Sequence, residues 1–305
     1  MLNSAVLFLL ATPLYLFSFL LYLVHVVFSG GQPRLAASVG AVGGASSTLY
    51  LKQPDEPSSR FEHWGRWVGW TGVVLTTVGV IWRMIELGTS SGWVLSVFLP
   101  VTTTYETLTF FSWIIPVAYF ALERRHRFPG VGMIIMLIAF MLLGTAAMPA
   151  IAPRAVAPIV PALQSYWLVI HVLMMIVGIA FFTTGFGATL LLIWRRKRGW
   201  PEEALRKLEQ LSYRSNAIAF PLYGIGGIIL GGIWAKYAWG AYWEWDPKET
   251  AMLIAWLSYA VYLHARVRWG AKDRRVSWLS LVAYGVLMYA WIGINYFVSS
   301  LHSFA

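Results

Sequence analysis

The feature that most constrains this chain of 305 residues is an apolar run of membrane-crossing length that recurs along its whole sequence. A helix of about 20 such residues crosses a hydrocarbon core of about 30 Å. Because unpaired backbone groups are costly in lipid, runs of this length favour a bundle of helices. We therefore predict an all-α integral membrane protein with about eight transmembrane helices, at 4–28, 67–87, 103–122, 131–148, 165–194, 215–235, 250–269 and 277–298.

The basic residues follow a topological pattern. Of the 23 Lys and Arg residues, 19 fall in four segments that alternate with the predicted spans: 29–66, 122–127, 195–214 and 265–275. The positive-inside rule places these segments in the cytoplasm and both termini on the outer side. Topology thus accounts for the net charge of +10. The predicted partner is the lipid bilayer, and we predict no nucleic acid.

The chain reads as a single polytopic membrane domain over 1–305. The cytoplasmic segment 29–66 is rich in Gly, Ala and Ser, which is typical of a flexible loop. The cytoplasmic segment 195–214 resembles an amphipathic helix lying at the inner surface. The outer segment 149–164 has four prolines, which predicts an extended cover rather than a helix.

Aromatic residues are concentrated in the predicted outer loop 234–249. Its stretch 239–250 reads WGAYWEWDPKET. One interpretation is an aromatic belt at headgroup depth. The other is a surface for a large, flat, apolar ligand, whose carboxylates would pair with Lys236 and Lys248. The candidate binding residues are Trp234, Trp239, Tyr242, Trp243, Trp245 and Asp246.

The histidines indicate candidate ligand-binding sites at two depths in the membrane. His171 and His302 fall on the outer side with the aromatic loop, and paired neutral imidazoles are what haem iron takes as axial ligands. Either histidine alone would more simply be a hydrogen-bonded packing residue. His264 lies about 22 Å deeper, near the cytoplasmic end of its span, and His25 falls at a similar depth. Two depths suggest an outer and an inner station for one ligand.

Other intramembrane polar residues are Arg83, Glu86 and Glu106. Arg83 and Glu86 are three residues apart on a predicted helix, which favours a structural ion pair. Glu106 is a candidate to face the cavity of the aromatic loop. The chain has no cysteine, so any thiol in its chemistry must come from a partner.

The loop and the placement of the histidines closely resemble the CcsA/ResC family, the membrane subunit of the system II cytochrome c synthase. The resemblance covers about 100–305, and spans one and two match only in being hydrophobic. The stretches that carry it are WGAYWEWDPKET at 239–250, SYWLVIHV at 165–172, YLHAR at 262–266, LHSF at 301–304 and TYETLTFF in span three.

This resemblance implies a function in which haem b moves from the cytoplasmic side to an outer site. That site would comprise the tryptophan-rich (WWD) loop and the axial ligands His171 and His302. There the haem vinyl groups would react with the thiols of a CxxCH motif in apocytochrome c, which makes the chain part of a haem lyase. Catalysis would rest on positioning, with no nucleophilic side chain.

The resemblance also implies an inner site at His264. Its second ligand would come from a Ccs1/ResB-type partner subunit, unless His25 of this chain takes that place. The location would be the cytoplasmic (inner) or a thylakoid-type membrane, with the active site on the outer, periplasmic side.

Two alternatives use the same residues. One is a haem exporter or chaperone of the CcmC type, which would deliver haem to a separate lyase. The other is a haem-binding scaffold that regulates haem synthesis or assembles an oxidase. Covalent modification of a co-expressed CxxCH substrate would separate the lyase from both.

Overall fold

A computed structural model describes residues 3–29, 60–91, 99–123, 127–156, 163–270 and 273–298. Within these ranges the chain is helical with short connections and has no strand, which confirms the all-α prediction. The helices are α1 (Ser4–Ser29), α2 (Arg60–Ser91), α3 (Thr104–Leu122), α4 (Pro129–Ala146), α5 (Tyr166–Lys197), α6 (Glu202–Tyr223), α7 (Gly231–Trp239), α8 (Pro247–Trp269), α9 (Arg274–Met288) and α10 (Ile294–Phe297). A π-helical turn joins α6 to α7 at Gly224–Leu230, and a second joins α9 to α10 at Tyr289–Gly293.

Seven helices in the described part of the chain are long and apolar enough to cross a membrane. They are α1 to α5, the continuous helix Glu202–Trp239 and the helix Arg274–Gly293. The remaining predicted span, 250–269, coincides with α8, which carries charged residues towards both ends and is not among the seven. Because α8 packs against α6 and α9, it belongs to the same bundle. The side on which each terminus lies remains a prediction.

The predicted surface helix 195–214 does not form a helix of its own. Its first residues close α5, which ends at Lys197, and its later residues open α6 at Glu202. From there the helix continues through the first π-helical turn to Trp239. The polar and the apolar parts of Glu202–Trp239 therefore belong to one continuous helix.

Two predicted loops are shorter than expected. The segment 29–66 is helical from Arg60 onwards, and its residues 30–59 lie outside the described residues. In the segment 234–249, only residues 240–246 lie between α7 and α8, because its two ends belong to those helices. We call the end of the bundle that carries residues 240–246 the loop end.

Helix α5 connects the two parts of the bundle. α1 packs against α2 and α4, and α3 packs against α4. α5 contacts α3 and α4 from this group, and it also contacts α6 and α9. A residue on α5 is therefore placed where both groups of helices meet.

A buried ion network holds the first group of helices together. Arg83 is 3% exposed, and its guanidinium lies 3.0 Å from a carboxylate oxygen of Glu106 and 3.3 Å from one of Glu86. Glu86 also accepts hydrogen bonds from the backbone and hydroxyl of Ser4, at 2.8 and 2.6 Å. Arg83 donates further to the backbone carbonyl of Arg154 at 3.3 Å. The network thus joins α1, α2 and α3 to the segment before α5.

The expected pair of Arg83 and Glu86 is confirmed, but the expectation for Glu106 is wrong. Glu106 is fully buried, and its carboxylate binds Arg83 and the backbone and hydroxyl of Thr102. An unpaired arginine inside the bundle would be costly, so this carboxylate is used to neutralise it. Thr102, rather than Glu106, reaches the cavity described below.

We expect Glu106→Gln to destabilise the protein by roughly 3 kcal/mol, because it removes the closest counter-charge of a buried arginine while keeping the side-chain volume. The measurement is the free energy of unfolding in detergent. Glu203→Gln is the matched control, since Glu203 is exposed and pairs with Lys207 across 3.6 Å. Its loss should stay within about 1 kcal/mol. Equal losses in the two variants would contradict a structural role for the buried network.

Candidate functional site

His171 lies near the start of α5, at the loop end of the bundle, and is 8% exposed. Its Nδ1 is 2.7 Å from the backbone carbonyl oxygen of Gly226. Because a carbonyl can only accept a hydrogen bond, Nδ1 carries the proton and Nε2 of the neutral ring has the lone pair. This is the tautomer that a histidine needs in order to ligate a metal through Nε2.

The carbonyl that His171 uses belongs to the first π-helical turn. Gly226 sits so close to α5 that a Cβ atom there would lie 2.6 Å from Cβ of Met174. A Cβ at Gly231 would lie 2.8 Å from Cε1 of His171. Two glycines therefore let the helix approach the imidazole closely, and π-helical turns are frequent at functional sites.

Tryptophans pack around the histidine. Trp234 is 3% exposed and its ring is nearly parallel to that of His171, with centroids 5.9 Å apart and an interplanar angle of 7°. Trp239 meets Trp234 edge to face at 4.7 Å and 73°. The parallel contact of Trp234 with His171 and the edge-to-face contact of Trp239 with Trp234 thus help to hold the plane of the imidazole.

Two backbone features close the loop between α7 and α8. Gly240 ends α7 with a φ of 91°, and its N–H donates to the carbonyl of Lys236. Trp245 adopts a φ of 59°, a left-handed conformation that is unfavourable for a bulky residue. Such strain persists only where the surroundings hold it, and it often marks functional sites.

A capping box at the start of α8 holds the strained backbone at Trp245 in place. The Asp246 side chain accepts from the backbone N–H of Lys248 at 2.9 Å. The Glu249 carboxylate accepts from the backbone N–H groups of Asp246 and Glu244, at 3.3 and 2.9 Å. Both carboxylates are buried. The aspartate of the WWD loop is thus a helix cap in this structure.

A cavity of about 150 Å³ lies at this end of the bundle. Its wall includes His171, Trp234 and Trp243 together with the start of α8, and Leu163 closes it from the segment predicted as an extended cover. Apolar residues complete the lining, among them Val172, Met175 and Met252. The cavity therefore combines one imidazole with a largely apolar and aromatic surface.

Lys248 is the cation of this cavity wall. Its side chain is half-buried, and its Nζ donates to the side-chain oxygen of Asn295 at 2.8 Å. Burial lowers the pKa of Lys248 to about 8, and nearby Asp246 opposes this effect. Lys236, by contrast, is exposed and binds the carbonyl of Gly240 at 2.7 Å.

The aromatic residues of the loop do not form a flat shelf. Trp234 is buried, and Trp239 and Trp243 are half-buried. Tyr242 and Trp245 are 63% and 69% exposed. Trp243 and Trp245 meet edge to face at 88°, as aromatic pairs often do, so their rings do not share a plane. The loop thus contributes part of the cavity wall and part of the exposed surface.

The other predicted histidines do not join this cavity in the part of the chain that the structure describes. His302 lies outside the described residues. His264 is exposed on α8, about 22 Å along the helix from Glu249. His25 is 2% exposed on α1, which packs against α2 and α4, whereas α8 packs against α6 and α9. Of the predicted histidines, the structure brings His171 to the aromatic loop.

Two features of the site, the capping box and the π-helical turn, were not predicted from the sequence. The capping box has a recognisable signal, because Asp246 is followed three residues later by Glu249, with a proline directly after the aspartate. The π-helical turn has only a weak signal in its glycine-rich sequence GIGGIIL. The contact of this turn with His171 joins residues 55 positions apart and has no local signature.

Comparison with known proteins identifies the family. The family model described as "Cytochrome C assembly protein" matches residues 101–302. The chain belongs to that family. The match contains α3 to α10, the aromatic loop and three of the predicted histidine ligands, whereas α1 and α2 precede it.

Relatives within this family carry the name "Cytochrome c biogenesis protein CcsA". The protein of that name from Guillardia theta is 32% identical over 266 residues, which cover 78% of this chain and 85% of the relative. The one from Trieres chinensis is 29% identical over 284 residues, covering 81% and 90%. The one from Thermosynechococcus vestitus is 33% identical, covering 70% and 80%. The resemblance to the CcsA family is therefore confirmed.

We expect Asp246→Ala to lower stability by about 1 kcal/mol, because it removes the N-terminal cap of α8. Asp246→Asn should stay close to the wild type, since asparagine caps helices as well as aspartate does. The thermal unfolding midpoint in detergent measures both variants. If both lose the same stability, the charge of Asp246 matters and its capping bond does not.

Proposed function

We propose that this chain carries haem b across the membrane and presents it for attachment to a CxxCH apocytochrome c. The observation that supports this most directly is the hydrogen bond between Nδ1 of His171 and the carbonyl oxygen of Gly226, beside an aromatic cavity. Family membership supports the same conclusion, because relatives are named cytochrome c biogenesis proteins.

The cavity suits one edge of a porphyrin. It supplies a ligand nitrogen, apolar and aromatic walls and a cation, which match the iron, the macrocycle and the carboxylates of haem. Its volume of about 150 Å³ is below the ~300–1,000 Å³ of ordinary ligand pockets. The remainder of the macrocycle would therefore extend towards the exposed loop, where Tyr242 and Trp245 lie.

In this proposal the outer axial ligands are His171 and His302. The binding surface comprises Trp234, Trp239, Tyr242, Trp243, Trp245 and Asp246. The position of Asp246 supports an indirect role, in which the cap holds the loop in place. The site would face the outer, periplasmic side of an inner or thylakoid-type membrane.

The reaction would be the addition of two substrate thiols to the two haem vinyl groups. Each addition forms a C–S bond and transfers the thiol hydrogen to the other vinyl carbon, so the step is redox-neutral. The chain would contribute by positioning the haem, since it has no cysteine of its own. This assigns it as the haem-handling subunit of a cytochrome c haem lyase.

His264 would be a ligand of the inner haem site. Its exposure on α8 supports a site that a Ccs1/ResB-type partner subunit completes, because ionisable residues on a lipid-exposed surface are costly and usually functional. His25 is buried within another group of helices, which favours a ligand from the partner.

The proposal is tested by co-expressing the chain with a Ccs1/ResB-type subunit and a CxxCH apocytochrome. We expect His171→Ala to lose or alter the bis-histidine visible spectrum and to reduce covalent haem on the cytochrome by about tenfold or more. Added imidazole should restore both, because it replaces the missing ligand. His63→Ala is the control, since His63 is exposed and hydrogen-bonded to Trp67.

Each outcome of that experiment has a distinct meaning. A wild-type protein that binds haem but forms no covalent cytochrome would indicate a carrier of the CcmC type. Full attachment by His171→Ala without imidazole would remove His171 from the site. A wild-type protein that never contains haem would overturn the proposal.

We further expect Gly231→Ala to weaken haem binding by about tenfold, even though alanine favours a helix by about 1 kcal/mol over glycine. The new Cβ would lie 2.8 Å from Cε1 of His171 and would displace the ring. Gly285→Ala is the matched control, because a Cβ there meets open space. Haem titration followed at the Soret band measures both, and unchanged affinity in Gly231→Ala would contradict the close approach.

A further inference from the structure

Lys248 is a half-buried cation at the loop end whose side chain binds a neutral group. Lys248 lines the same cavity as His171, and its Nζ donates a hydrogen bond to the neutral side chain of Asn295. Among the described residues it forms no ion pair with a carboxylate. A half-buried ammonium with three donors thus has one neutral acceptor, which is an unfavourable arrangement unless an anion joins it.

The nearby carboxylates already accept hydrogen bonds from backbone N–H groups. Asp246 accepts from the N–H of Lys248 itself, and Glu249 accepts from the N–H groups of Glu244 and Asp246. These bonds hold the start of α8 and the strained loop. Glu249 and Lys248 both line the cavity, but the carboxylate of Glu249 is bonded to backbone N–H groups, whereas the ammonium of Lys248 has a neutral partner.

From this arrangement, and resting on the proposed function, we propose that Lys248 binds a propionate carboxylate of the haem held by His171. An ammonium provides a compact charge for a carboxylate, and a charge-assisted hydrogen bond is about twice as strong as a neutral one. Asn295 holds the ammonium in place from α10, seven residues before His302.

This assignment gives Lys248 a role in orienting the substrate. In protoporphyrin IX the two propionates lie on one half of the ring and the two vinyl groups on the other. A propionate held at the cavity wall directs the vinyl half away from Lys248. Lys248 is thus a positioning residue that determines which edge of the haem meets the thiols.

The test compares two porphyrins that differ only in the carboxylates. Purified protein in detergent is titrated with iron protoporphyrin IX and with its dimethyl ester, and binding is followed at the Soret band. The variants are Lys248→Met, Lys248→Arg and Lys236→Met. The last is the matched control, because Lys236 is exposed and bound to its own loop.

We expect the wild type to prefer the free acid by about tenfold or more. Lys248→Met should abolish this preference while its affinity for the ester stays unchanged, and Lys248→Arg and Lys236→Met should retain the preference. A preference that survives in Lys248→Met would overturn the inference. An equal loss for both porphyrins would also overturn it, because it would indicate a structural role. Failure of the wild type to bind either porphyrin would overturn the proposed function, and the inference with it.

Discussion

The hydrogen bond from His171 to the carbonyl of Gly226 is the interaction on which the candidate site depends. It fixes the tautomer of the ring and holds the ring against the stacked indole of Trp234. The bond requires α5 and the π-helical turn to approach closely, which a side chain at Gly226 or Gly231 would prevent. Small residues serve this purpose widely in membrane helix packing. The backbone geometry of one turn thus decides the chemistry of a histidine on another helix.

Charged groups in this structure are satisfied in three different ways. Arg83 is neutralised inside the chain by Glu106 and Glu86, which suits a structural group in a low-dielectric bundle. The carboxylates of Asp246 and Glu249, at the start of α8, accept hydrogen bonds from backbone N–H groups. Lys248 receives only a neutral partner. Lys248 therefore differs from Arg83, whose charge is neutralised within the fold, and this difference supports a role for Lys248 in binding a ligand.

Much of the fold was predictable from sequence, because the apolar length needed to span a bilayer is a local property. The predicted spans 103–122 and 165–194 differ from α3 and α5 by at most three residues at either end. The continuity of Glu202–Trp239 was not predictable, since a polar stretch that stays helical is supported by its packing against α5. The partner of Glu106 was missed for a related reason, because Arg83 lies on a different helix.

By itself, the sequence determined the all-helical membrane architecture, the family and the set of candidate residues, including His171 and the aromatic loop. These follow from the length of the apolar runs and from motifs of closely spaced residues, both of which are local properties of the sequence. Tertiary structure alone decided that His171 meets Gly226, that the indoles pack edge to face, and that Lys248 lines the same cavity. Each of these depends on how helices distant in sequence approach one another, and that approach is set by packing across the whole bundle rather than by any local pattern.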